Sequence, residues 1–338
     1  MNIITLWMMV IAGLFCVAFC LAGADYGVGI WSLLLGREDV ERRVMLNVIG
    51  PFWLGNEVWL VLAVAALFAA FPHWYASIFS ALYVPLVVLL LALILLGVAP
   101  EFRSQDEGRL WRTLWDGAFF VGGLLSAFIW GLFLGNLSHG IPLGQDRSFD
   151  GPFWQLLHPQ ALVGGLSLTL LFAFQGLLLL NLKTHGPLQK RAAGLIRKVW
   201  WPALLAANGF TAWNIVDSQI FAPITVAGVV LALILISFLF TLCRHFLDQE
   251  QPMRALVTSA LVIALTTLPV FAILHLQGLK STLDPIWTVT AQVAASGAYS
   301  LQVSAIIAAI GIPLVILYQI WAYRILRGRV GVQDTLEY

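Results

Sequence analysis

The chain has 338 residues, of which 60% are hydrophobic and only 10% are charged, and its formal net charge is +1. Soluble domains carry about 25% charged residues, so this composition excludes an ordinary soluble enzyme and predicts an integral membrane protein. The sequence has no basic cluster that would indicate nucleic-acid binding. Three cysteines, Cys16, Cys20 and Cys243, are too few for a disulfide framework.

Nine apolar runs approach or exceed the length of about 20 residues that a helix needs to cross a bilayer. In chain order they are 3–30, 52–71, 76–98, 116–137, 159–182, 199–215, 221–243, 255–275 and 303–326. The sixth run is the weakest, because it contains Asn208 and Asn214 and is nearly continuous with the seventh. The sequence thus predicts an all-α fold of about nine transmembrane helices in a single domain, 1–338.

The basic residues predict the orientation, because cytoplasmic loops are enriched in Lys and Arg. With nine spans and an external N-terminus, 16 of the 18 basic residues are cytoplasmic; these are Arg37, Arg42, Arg43, Arg103, Arg109, Arg112, Lys183, Lys190, Arg191, Arg197, Lys198, Arg244, Arg254, Arg324, Arg327 and Arg329. Only Arg147 and Lys280 are then external. Merging the sixth and seventh runs would leave 12 inside, so nine spans with a cytoplasmic C-terminus are favoured.

Four carboxylic acids lie within or beside the first four runs. Asp25 lies two-thirds of the way along the first run, and Glu57 lies about one and a half turns, or roughly 8 Å, inside the second. Glu101 ends the third run and Asp116 begins the fourth. Because consecutive antiparallel helices usually pack together, we expect these acids to converge on one polar file that opens to the cytoplasm.

Each acid also has a simpler interpretation. Asp116 could cap its helix or face the helix dipole, and Glu101 could form an interfacial ion pair with Arg103. Asp25 and Glu57 are deeper, where charged groups are costly and usually functional. They therefore favour either proton transfer or a buried structural network.

Histidines are found only in loops or at the ends of the predicted spans, at positions 73, 139, 158, 185, 245 and 275. A haem inside a membrane needs an axial ligand that projects from mid-helix. The sequence therefore predicts that the chain holds no haem or metal ion with its own ligands.

Several short motifs resemble subunit II of cytochrome bd-type quinol oxidases. They are DYGVG at 25–29, GREDVERRVMLN at 36–47, PFWLGNEVWLV at 51–61, ALFAAFPHWY at 66–75, EFR at 101–103, WD at 115–116 and GN at 135–136. Residues 294–301 and 313–323 resemble the last loop and helix of that family. The resemblance covers nearly the whole chain and is strongest up to Asn136.

This resemblance implies two four-helix bundles plus one peripheral helix in the bacterial cytoplasmic membrane. The family's enzyme oxidises a membrane quinol and reduces oxygen to water, and the reaction is electrogenic. Haems of the b and d types are expected in the partner, subunit I, which this chain would stabilise and supply with cytoplasmic protons. The resemblance also allows small single-span accessory subunits and a bound quinone or lipid in this chain.

The same resemblance implies which side chains carry protons. Asp25 matches an acid of the family pattern, whereas Ala22 and Leu54 stand where the family has acids. Glu57, almost one helical turn after Leu54, is a candidate substitute; the alternative is that the proton path runs through the other subunit. Glu101 and Asp116 complete the proton-transfer candidates, with Asn56, Trp59 and Arg103 as supporting residues. Two alternatives stay open: a secondary transporter, although no pair of broken helices is evident, and a purely structural oxidase subunit.

Overall fold

Long helices form from the apolar runs in a computed structural model that describes residues 2–219, 225–325, 328–334 and 336. In chain order the α-helices are α1 (Ile3–Leu35), α2 (Asp39–Ala70), α3 (Pro72–Ala81), α4 (Tyr83–Arg103), α5 (Arg109–His139), α6 (Pro159–Lys183), α7 (Gly186–Ser218), α8 (Thr225–Asp248), α9 (Pro252–Gln277), α10 (Ala291–Ala294) and α11 (Ala298–Ile325). The start of the seventh predicted run, Phe221, and the end of the ninth, Leu326, lie outside the described residues.

Eight of these helices are long and apolar enough to cross a membrane: α1, α2, α4, α5, α6, α8, α9 and α11. The sixth predicted run lies within α7, which packs against α6 and α8. Its first half carries Lys190, Arg191, Arg197 and Lys198, so its average hydropathy is lower. The third predicted run is divided at Leu82 between α3 and α4.

Helix α2 begins at Asp39, 13 residues before the predicted start of the second run. The carboxylate of Glu41 caps this start by accepting the N–H groups of Arg37 at 2.9 Å and Glu38 at 3.3 Å. Glu57 therefore lies about 27 Å along a continuous helix, because α2 begins well before the predicted run.

Glycines allow α1 to approach two neighbouring helices closely. A Cβ atom at Gly27 would lie 1.9 Å from the backbone oxygen of Phe172 on α6, and one at Gly123 of α5 would lie 2.5 Å from the backbone oxygen of Tyr26. Such contacts between small residues are a common way to pack membrane helices. They place the middle of α1, including Asp25, inside the helix bundle.

The loops separate onto two ends of the molecule, as the distribution of basic residues predicts. At one end, which we call the basic end, Arg42 contacts Asp116, Arg191 contacts Glu41, and the Val330 N–H donates to the Lys183 oxygen at 2.7 Å. At the opposite end, the Ile141 N–H donates to the oxygen of Lys280 at 3.0 Å.

The packing of the helices separates α11 from the rest. Helices α1, α5 and α6 contact one another at the centre, α2 and α4 pack on one side, and α7, α8 and α9 on the other. Helix α11 contacts α2 and α1 and exposes most of its surface. The division into two four-helix bundles stays a prediction.

Candidate functional site

Asp25 lies at the centre of a hydrogen-bonded group that joins three helices. Its side chain is on α1, the residue is 1% exposed, and Oδ2 accepts a hydrogen bond from Nδ2 of Asn56 on α2 at 2.7 Å. The carbonyl oxygen of Asn56 accepts two more, from Nε2 of Gln319 at 2.8 Å and from the hydroxyl of Tyr323 at 2.9 Å, both on α11. We call these four residues the Asp25 network.

Glu57 has a separate partner on the same two helices. The hydroxyl of Tyr26, which is buried, donates to Oε1 of Glu57 at 2.8 Å, whereas the Glu57 side chain is only partly buried. Asp25 and Tyr26 are consecutive on α1, and Asn56 and Glu57 are consecutive on α2. The interface between the two helices therefore holds two carboxyl groups side by side, each with one donor.

A cavity of about 330 Å³ adjoins Asp25 and extends towards the basic end. Helices α1, α2, α6, α9 and α11 all contribute to its wall, and most of the lining side chains are apolar. Asp25, Gln175, Gln319 and Tyr323 supply polar groups, and Lys183 lines it at the last residue of α6. Because a cavity with several polar groups can hold water, this space is a candidate path between the basic end and Asp25.

Asp116 belongs to a different group of charges, at the basic end. Its carboxylate accepts from Nε of Arg103 at 2.6 Å and from Nη1 of Arg42 at 2.9 Å. Arg103 also donates to Asp39 at 2.6 Å, which in turn contacts Arg112 at 3.1 Å. Through these ion pairs the cluster ties α2, α4 and α5 together.

The simpler interpretations of Glu101 and Asp116 are also corrected by the geometry. Arg103 pairs with Asp116 and Asp39, and Glu101, which is exposed, has no ion pair among the described residues. Asp116 is not a helix cap either, because α5 begins at Arg109, seven residues earlier. The four acids thus do not form one hydrogen-bonded file in the part of the chain that the structure describes.

The remaining predicted residues lie apart from these contacts. Trp59 is buried in the core, and its indole nitrogen has no hydrogen-bond partner among the described residues. Leu54 is 72% exposed on the outer side of α2. Sequence reasoning missed Tyr26, Gln319 and Tyr323. Gln319 and Tyr323 are four residues apart in a mostly apolar helix, and this spacing indicates that they share one face.

Histidines lie at or near helix ends, where they do not suit the axial role of a haem ligand inside the membrane. His139 and His158 pack ring to ring at 4.2 Å at the opposite end. Burial and the neighbouring His139 lower the pKa of His158 to about 4. Among the described residues, no three His, Cys, Asp or Glu side chains are grouped so that they could hold a metal ion.

Comparison with known proteins finds relatives that match nearly the full length of the chain. A model of the family described as cytochrome bd terminal oxidase subunit II matches residues 3–326. Cytochrome bd ubiquinol oxidase subunit 2 of Bacillus subtilis (strain 168) is 35% identical over 333 residues, which cover 98% of both chains. Cytochrome bd-I ubiquinol oxidase subunit 2 of Escherichia coli (strain K12) is 30% identical over 369 aligned positions, 97% of this chain and 95% of the relative.

The fold is also found in a solved structure. A chain of the bd oxidase from Geobacillus thermodenitrificans superposes with a TM-score of 0.70 and 17% identity, over 96% of this chain and 98% of that one. This structural similarity shows the fold, whereas the sequence matches show the family. The chain belongs to the cytochrome bd terminal oxidase subunit II family and is thereby a membrane-spanning subunit of a respiratory oxidoreductase.

Proposed function

We propose that this chain supports a haem-bearing subunit I in the bacterial cytoplasmic membrane and supplies it with protons from the cytoplasm. The complex would oxidise a membrane quinol and reduce oxygen to water, with the b and d haems held by subunit I. Family membership supports this assembly, and the two curated relatives are both named as ubiquinol oxidase subunits. Small accessory subunits would complete the complex.

The observation that carries the proton role is the pair of carboxyl groups at the interface of α1 and α2. Reduction of oxygen to water consumes one proton for each electron, and a proton crosses a helix bundle only through titratable groups or water. The cavity beside Lys183 would bring water from the basic end to Asp25, which is ten residues, or about 15 Å, before the end of α1.

Glu57 would take the next position on this route. It lies beside Asp25 on the neighbouring helix and is only partly buried, so it can face another subunit. The basic end would be cytoplasmic, because the Lys and Arg residues gather there. Asp116 and Arg103 would stabilise the fold, and the exposed Glu101 would lie near the cytoplasmic surface.

A purely structural role is the second candidate. The side chain of Asn56 links α1 to α11 through three hydrogen bonds, and this network would hold α11 on the bundle whether or not Asp25 carries protons. The secondary transporter alternative has no comparable support, since the chain belongs to an oxidase family.

The test is to neutralise each acid without changing its shape in the purified complex. Asp25→Asn and Glu57→Gln should leave haem content normal and should lower quinol oxidase turnover and proton uptake, by up to the roughly 10²–10⁴-fold typical of acid–base groups. Glu107→Gln, at an exposed loop carboxylate, is the control and should keep full activity. If both neutral variants retain full activity across pH, the structural role is correct instead.

A further inference from the structure

A second cavity, of about 460 Å³, opens at the basic end between α7, the end of α8 and residue 329 of the C-terminal segment. Four basic and two acidic side chains line it, so it carries a net positive charge. They are Lys190, Arg197, Arg244, Arg329, Asp248 and Glu250. This cavity shares no lining residue with the cavity beside Asp25. We call it the cationic pocket.

Cations in this pocket are poorly neutralised by the protein itself. Arg197 approaches Asp248 only to 3.6 Å, and both side chains are more than half exposed. Within the described part of the chain, Lys190, Arg244 and Arg329 form no ion pair. Elsewhere at the same end, Arg42, Arg103 and Arg191 each contact a carboxylate. The pocket therefore presents positive charge that is available to an anionic ligand.

Aromatic residues indicate that the pocket lies at the level of the lipid headgroups. Trp200 lines it, and the guanidinium carbon of Arg244 lies 5.9 Å from the centre of a Trp200 ring. Trp201 packs edge to face against Trp200, with ring centres 4.6 Å apart, and is exposed. Tryptophan is enriched at the interface between membrane and water, so the cationic side chains lie just outside the hydrocarbon layer.

The surface that continues towards the middle of α7 and α8 is apolar. Leu205 on α7 and Phe238 on α8 expose their side chains, each about two helical turns from Arg197 and Arg244 respectively. A ligand with a negative headgroup and hydrocarbon chains would match both the cationic pocket and the apolar surface beside it. Free phosphate would use only the charged part.

We propose that the cationic pocket binds the phosphate headgroup of an anionic phospholipid from the membrane leaflet at the basic end. Basic pockets between membrane helices bind such headgroups through charge-assisted hydrogen bonds, and the volume is within the range of about 300–1,000 Å³ that small-ligand sites occupy. The acyl chains lie along α7 and α8. This site is independent of the proton route, because it uses none of its residues.

The experiment uses the complete oxidase complex in phosphatidylcholine nanodiscs with increasing fractions of phosphatidylglycerol. Native mass spectrometry counts the retained phosphatidylglycerol, and thermal unfolding measures the stabilisation that it gives. The test variant is Lys190→Gln with Arg244→Gln. The matched control is Arg109→Gln with Lys198→Gln, which removes two exposed charges from the same end outside the pocket.

With about 1 kcal/mol for each basic residue near an anionic surface, the test variant should bind phosphatidylglycerol about 30-fold more weakly than the unmodified complex. The control should bind it within about twofold, because its exposed charges lie outside the pocket and salt screens their interaction with the headgroup. Equal binding by the test variant and the unmodified complex would overturn the proposal. Equal stabilisation by inorganic phosphate alone would overturn it too, since the pocket would then be a site for a soluble anion.

Discussion

Asn56 hydrogen bonds to Asp25 through its amide nitrogen, at 2.7 Å, while its carbonyl oxygen accepts from two residues of α11. In this orientation the amide nitrogen donates to the carboxyl group and the amide oxygen accepts from α11, so both ends of the Asn56 side chain are paired. Asp25 is thus coupled to the attachment of the outermost helix. A change at Asp25 can therefore affect both proton transfer and the stability of the subunit, and variants of its network partners are needed to distinguish the two effects.

Loss of the Asn56 side chain should destabilise the protein more than loss of either of its α11 partners. Asn56→Leu removes three hydrogen bonds and leaves Asp25 buried without a donor, which should cost about 1–3 kcal/mol or more. Tyr323→Phe removes one and should cost about 0.5–1.5 kcal/mol. Thermal unfolding of the complex measures both, and equal stability of the two variants would contradict the network.

An acid restored at position 54 should partly rescue the Glu57→Gln variant. Leu54 is one turn before Glu57 on the outer side of α2 and lines a small cavity of about 130 Å³ together with Glu101. Leu54→Asp would therefore place a carboxyl group close to the same route. Turnover of Leu54→Asp with Glu57→Gln should exceed that of Glu57→Gln alone. Leu54→Asn is the control for polarity without charge, and an equal gain from it would show that charge is not required.

Removal of Arg103 should unfold the basic end. Its side chain and that of Asp116 are each 4% exposed, so Arg103→Gln would leave a buried carboxylate with one fewer cation. Breaking a buried pair in this way typically costs about 3–5 kcal/mol. Arg112→Gln is the control, because Arg112 is one-third exposed and an exposed pair contributes about 0–1 kcal/mol. Comparable unfolding temperatures for the two variants would refute this difference.

A methyl group at Gly27 should force α1 and α6 apart. The added Cβ would lie 1.9 Å from the backbone oxygen of Phe172, and overpacking typically costs about 1–3 kcal/mol. Gly13→Ala is the matched control in the same helix, where nothing lies within 4 Å of the new atom. It should be neutral or stabilise the helix by up to about 1 kcal/mol. The readouts are the unfolding temperature and the haem content of the assembled complex.

Reporter fusions test the orientation. A reporter fused after Tyr338, which lies outside the described residues, should be cytoplasmic because it follows the basic end. A reporter inserted near Gln145, in the loop between α5 and α6 at the opposite end, should be external. A C-terminal reporter found outside the cell would refute nine spans with an external N-terminus.

The sequence by itself determined that this protein crosses a membrane and which loops share an end. Both conclusions depend on totals over many residues, namely the length of each apolar run and the number of basic residues in each loop. A single atypical residue changes such a total very little. They predicted Arg42, Arg103 and Lys183 on one side, and the structure places them at one end. The family motifs likewise indicated the identity before any contact was known.

Only the tertiary structure decided which acids belong together. Asp25 and Glu57 lie at the same helix interface because α1 and α2 pack in one particular register, in which Asn56 reaches Asp25 and Tyr26 reaches Glu57. Asp116 instead pairs with Arg42 and Arg103, because nearby opposite charge offsets part of the cost of burying a carboxylate. A shift of one residue along α2 would turn Asn56 and Glu57 by about 100° away from their partners, and nothing in the local sequence of α1 or α2 specifies that register.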